Sequence, residues 1–127
     1  MQDRPTAQEL MEAVTEWLRG ELAGVVPEDR RYEVLIAAHL CEVVAREARD
    51  GLAFGLEDVR LFRTLLGETG EDPPADAVAG EARELATRLA ARIRAGEHDA
   101  DFAAVGEALR GHVLRKLQIA RPGYADG

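Results

Sequence analysis

Residues 31–49 read RYEVLIAAHLCEVVAREAR, without a glycine or proline and dense in apolar side chains. Tyr32, Leu35, Ile36, His39, Val43 and Glu47 recur at helical spacing along one face. Leu40, Val44 and the small residues Ala37 and Cys41 widen that stripe. A helix apolar over more than half its circumference belongs in the middle of a bundle, with neighbours on several sides. The stretch therefore predicts an all-α fold with this helix at its centre.

Working outward, Thr6-Ala7-Gln8-Glu9 has the pattern of a capping box and opens a first helix that runs to about Leu22 or Ala23. Its apolar face is Leu10, Met11, Val14, Trp17 and Leu18. Pro27 closes the connection, and Glu28 or Asp29 starts the central helix, which Asp50-Gly51 ends. Gly51–Gly55 reads as a tight link. A third helix is expected over about 56–66, with Val59, Phe62, Leu65 and Leu66 inward. GETGEDPPA at 67–75 is the most loop-like segment. Asp76 is placed to cap a fourth helix, about 77–95, whose stripe is Val78, Ala82, Leu85, Ala86, Leu89 and Ile93. After an acidic turn, a fifth helix covers about 101–120, with Phe102, Val105, Leu109, Val113 and Leu117 inward and Gly106 as a close-approach point. The expectation is one domain over 1–127, a bundle of about five helices, with a short lead (1–5) and a short tail (121–127).

At 127 residues the chain is long enough to bury a core, and 46% hydrophobic with 31% charged residues is a globular composition. The formal net charge of -8 argues against nucleic acid or an acidic membrane as partner, since both need a positive field. Lys116 is the sole lysine, and serine and asparagine are absent, a skew that reads as genomic base composition. Cys41 is the sole cysteine, so no disulfide forms within the chain and a reducing compartment suits it. MQDRPTAQEL has no apolar signal stretch and no run approaches membrane-spanning length. A cytoplasmic location is the expectation.

Equipment for common chemistries is missing. None of His39, His98 and His112 follows a glutamate by three residues, and no zinc spacing occurs. The run Glu97–Asp101 lacks the calcium-loop pattern. Without serine there is no serine triad, and Cys41 lies two residues from His39, where helical side chains diverge. No phosphate-cradling glycine loop is present. Neither a cofactor nor a catalytic residue is therefore expected.

Two candidate sites remain. One is a ligand pocket between helices, lined by Tyr32, His39, Cys41 and Leu109, with His112 and Lys116 one turn apart nearby. Against it stands a core histidine satisfied by hydrogen bonds. The other is an anion site formed by Arg46, Arg49, Arg60 and Arg63. Surface ion pairs with the many glutamates explain these arginines equally well. Trp17 and the alanine-rich fourth helix suggest an uncovered apolar stripe, hence a homodimer.

Several segments resemble a bacterial family of small helical domains of unknown function. They are Arg4–Leu10, Ala37-Ala38-His39 with Arg46-Glu47, Ile93–Glu97, and Lys116–Tyr124. Members of that family stand beside or fused to aminoglycoside-phosphotransferase-like kinases, and near acyl-CoA dehydrogenases. The family pattern has asparagine where His39 stands, which implies a hydrogen-bonding group at that position, and the tail departs at Arg121 and Gly123. The chain has none of the kinase parts: no glycine-rich loop, no His-x-Asp loop and no metal-binding aspartate motif. What the resemblance implies is an accessory part of a catabolic or phosphotransferase system, and it names no reaction. Together with the missing equipment, the expectation is a non-catalytic helical module whose partner is a phosphotransferase-like enzyme. A bundle that binds a small molecule or acyl ligand near His39 is the alternative.

Overall fold

The computed structural model describes residues 4–126 and is all-helical, with no strand among them. The ends of the expected lead and tail, residues 1–3 and 127, lie outside the described part. Among the described residues four helices are present rather than about five. The first, α1, is Ala7–Trp17, continued by a π turn at Leu18–Leu22 and a last α-helical turn at Ala23–Val25. Next come α2, Glu28–Leu66, α3, Val78–Arg94, and α4, Phe102–Ala120. Chain contacts divide into two compact units, Met1–Gly51 and Leu52–Gly127.

The expected break at Asp50–Gly55 does not occur, because α2 runs through it for 39 residues. Each glycine there weakens a helix by about 1 kcal/mol relative to alanine, but packing overrides that preference. A Cβ on Gly55 would stand 2.6 Å from Val78 Cγ1, so the missing side chain is what lets α2 and α3 meet. Gly67 then ends α2 in the left-handed region, at φ 74°. The amide of Glu68 donates to the carbonyl of Arg63, which closes the helix end.

In the first unit, α1 and the opening part of α2 form a helical hairpin. The capping box is present: Thr6 Oγ1 accepts from the Glu9 amide and Glu9 accepts from the Thr6 amide. The connection at Val26-Pro27 is tight, with the amide of Arg30 donating to the carbonyl of Pro27. Few residues are buried here: Thr15, Leu18, Ala23, Ala38 and Ala45. The stretch 31–49 is therefore not the buried centre that its composition predicts. Tyr32, Ile36, Leu40 and Val44 all lie exposed, as do Leu10, Val14 and Trp17 on α1.

The core belongs to the second unit. Val59, Phe62 and Leu66 of α2 pack with Val78, Leu85 and Leu89 of α3. Leu56, Leu61, Leu65, Ala82, Ala86, Ile93 and Leu109 line its margin. The expected stripes of residues 56–66 and of α3 are thus the ones that meet. On α4, Val105 is buried, whereas Phe102 and Val113 are exposed rather than inward. A Cβ on Gly106 would meet nothing within 4 Å, so this glycine is no point of close approach. Asp76 does not cap α3; the cap residue is Ala77, without a side-chain hydrogen bond.

The loop at 67–75 is tied to the helices by arginines. Arg60 pairs with Asp72, and Arg63 donates to the Glu71 carbonyl at 2.6 Å and pairs with Glu81. Arg88 pairs with Glu68, and Arg92 donates to the Leu66 carbonyl at 3.0 Å.

Candidate functional site

In the second unit the buried acid is Asp58, at 8% exposure. It falls on the inward row of α2, one turn before Phe62. Arg115 of α4 donates to Asp58 Oδ1 through Nη2 at 2.7 Å and through Nε at 3.2 Å. A second arm, Nη1, reaches Glu57 at 3.2 Å. His112, one turn earlier on α4, places Nδ1 2.9 Å from the same Oδ1. The angle there is not that of a hydrogen bond, and this buried nitrogen has no hydrogen-bond partner. It is a close polar contact, held by ring packing: Phe62 meets the imidazole edge-on, with centroids 5.1 Å apart and planes at 66°.

A buried carboxylate with a guanidinium on one oxygen is a charge already compensated. The cluster clamps α4 to α2. Its sequence signal was available: Asp58 interrupts an apolar row, and Arg115 follows His112 by three residues on α4. Sequence reasoning singled out His112 but missed both of those partners. Of the other expected pocket residues in this unit, Leu109 lies at the core margin and Lys116 is exposed.

The first unit carries Tyr32, His39 and Cys41. Tyr32 and His39 are exposed, and Cys41 is half-buried with a free thiol. The arginines expected to gather an anion each have an acidic neighbour. Arg49 pairs with Asp50 at 2.8 Å, and Arg46 lies 4.0 Å from Glu42. In the second unit Arg60 and Arg63 hold Asp72 and Glu81. Asp50 holds the Arg49 guanidinium above its ordinary pKa, and Glu12 on α1 adds to the effect.

One face of the hairpin carries a groove of about 360 Å³ lined by Glu12, Thr15, Glu16, Glu42, Ala45, Arg46 and Arg49. Arg19 of α1 bridges to Glu42 at 2.9 Å on the same face. These pairings run antiparallel: early α1 residues meet late residues of the hairpin's second arm. Among the described residues, no group of three or more His, Cys, Asp or Glu side chains is placed to hold a metal ion. Among the described residues, no helix is long and apolar enough to cross a membrane.

The chain belongs to the family described as Domain of unknown function (DUF6285), whose model matches residues 24–124. The match takes in all of α2, α3 and α4 and begins after α1. No curated protein and no solved structure matches the chain.

Proposed function

We propose that this chain is a non-catalytic helical interaction domain whose partner is a phosphotransferase-like enzyme encoded beside it. The observation that supports this reading is how polar and apolar groups are distributed. Arg60, Arg63, Arg88 and Arg115 are engaged by carboxylates of their own unit, and the buried acid is compensated. Large apolar side chains stand exposed in helical rows instead. On α4, Phe102 and Val113 stand exposed with Gly106 between them, where nothing crowds the backbone, while Leu109 on the same row packs at the core margin. Such a row suits a flat helical surface of another protein. The choice of enzyme rests on the genomic company of the family this sequence resembles.

The test is co-purification of the tagged chain with the neighbouring phosphotransferase-like enzyme, and that enzyme's turnover with and without it. Retention together with altered turnover is the expected result; absence of both overturns the reading.

The groove between Glu12 and Arg49 favours a second reading, a binder of a small ligand, because its volume is in the range of ligand pockets. Thermal shift with fatty acids and acyl thioesters checks it. An upward shift lost in Arg46→Ala supports it, and no shift at millimolar ligand removes it.

A further inference from the structure

We propose that the apolar face of the α1–α2 hairpin is a docking surface for the same face of a second copy of this chain. The register of the two helices carries the argument. On α1 the seam toward α2 passes through Met11, Thr15 and Leu18, which are buried or half-buried. Exposed Leu10, Val14 and Trp17 each precede one of them by a single residue. On α2 the seam passes through Ala38, Cys41 and Ala45, which are buried or half-buried; exposed Leu40 and Val44 precede the last two by one, and exposed Ile36 lies one turn before Leu40.

One residue is a rotation of about 100° around a helix. In an antiparallel pair, a step back from the seam on both helices leads to the same side. The opposite side confirms the geometry. Glu12, Glu16 and Arg19 follow the α1 seam by one residue, and Glu42 and Arg46 follow that of α2. These residues share one charged face, joined by the Arg19–Glu42 bridge. The hairpin thus has one charged face and one face with an apolar row, which exposed Glu33 and Glu47 bound on α2.

The occupant follows from area and from what the hairpin lacks. Trp17 is 49% and Leu40 58% exposed, and the other four are exposed to a similar degree. Six such side chains leave roughly 500 Å² of apolar surface on one face. A standard dimer buries about 800 Å² per partner, about 65% of it apolar, so the face matches one half of such an interface. Among the described residues of this unit Leu18 is the one buried hydrophobic larger than alanine, and Met11, Leu22, Val26, Val34, Leu35 and Val43 are only half-buried, a thin core for two helices. Residues 31–49 have the pattern of a helix covered on several sides, yet α1 covers one. A second hairpin supplies the missing side and completes a four-helix arrangement with two-fold symmetry. The inference goes beyond the proposed interaction with an enzyme, for which the Phe102–Val113 row stays open.

Sedimentation equilibrium of the full chain from micromolar to submillimolar concentration tests it. The expected species is twice the 13.8 kDa chain, with emission of Trp17, the sole tryptophan, shifting to the blue as it forms. Leu40→Asp and Val44→Asp, at exposed positions, should each weaken association at least tenfold while keeping the helical circular dichroism. Val113→Asp on α4 should leave it unchanged. Residues 1–51 hold eleven acidic and six basic residues, so added salt should tighten the dimer by screening repulsion. A monomer at every concentration overturns the proposal. So does a dimer insensitive to Leu40→Asp and Val44→Asp, or one that Val113→Asp abolishes. Loss of the dimer with the enzyme still retained on the column would leave the proposed function standing.

Discussion

Arg115 on α4 grips Asp58 on α2 with two nitrogens on a single carboxylate oxygen, across 57 residues of sequence. The contact joins the second and last helices of the fold beside the Phe62–His112 ring pair. Both side chains are mostly buried, at 18% and 12% exposure. Each therefore depends on the other to offset the loss of water.

Asp58→Ala should cost about 1–3 kcal/mol, because it leaves the part-buried Arg115 guanidinium with Glu57 alone. Replacing both, as Asp58→Leu with Arg115→Met, should cost clearly less than the single change. Urea unfolding followed by circular dichroism measures both. A single-variant loss under about 1 kcal/mol would mean that water already solvates the pair.

Two glycines in helix interiors should respond with opposite signs. Gly55→Ala drives a methyl against Val78 and should destabilise by about 1–3 kcal/mol. Gly106→Ala adds a methyl in open space and should stabilise by about 1 kcal/mol. Thermal melts of the two variants against the parent decide the matter. Equal shifts would contradict the close approach at Gly55.

Acid should loosen the 67–75 loop. The hydrogen bond from Arg60 lowers the Asp72 pKa below its ordinary 3.8, and that from Arg88 lowers Glu68 below 4.5. A lowered folded-state pKa means that the unfolded chain binds more protons in this range. The stabilisation is therefore present above those ordinary values and lost as pH falls through the folded ones. Stability measured from pH 5 downward should fall more steeply in the parent than in Arg60→Ala/Arg88→Ala. Identical slopes would show that these ion pairs contribute nothing.

Leu85 and Leu40 are both leucines on apolar stripes, and their truncation should differ widely. Leu85 is 2% exposed in the core, so Leu85→Ala should cost about 2–5 kcal/mol. Leu40→Ala should cost under about 0.5 kcal/mol in dilute solution, where a surface side chain loses little. Denaturant midpoints at low micromolar concentration give the comparison.

Much of the fold was legible from spacing alone. The Thr6–Glu9 cap, the α3 stripe and the inward row Val59, Phe62, Leu66 all follow from local rules, and the structure has them. The number of helices did not follow, because Asp50-Gly51 and Gly55 look like a terminator until Val78 is known to lie against Gly55. Nor did the place of residues 31–49. Apolar density says that a helix wants cover; it does not say whether the cover is in the same chain. The candidate site was half visible. His112 stood out as a histidine, while Asp58 and Arg115 looked like two more surface charges in a chain rich in both. Their pairing is a long-range fact that helical periodicity carries only as an acid on an inward row.

The central claim is that this chain keeps its core on the second half of α2 with α3, and turns the apolar side of residues 31–49 outward. Amide hydrogen exchange of the full chain, at a concentration below any self-association, tests it most directly. The strongest protection is expected at Val59–Leu66 and Leu85–Leu89, with markedly faster exchange at Tyr32–Val44. Slower exchange at Tyr32–Val44 than at Val59–Leu66 would contradict it.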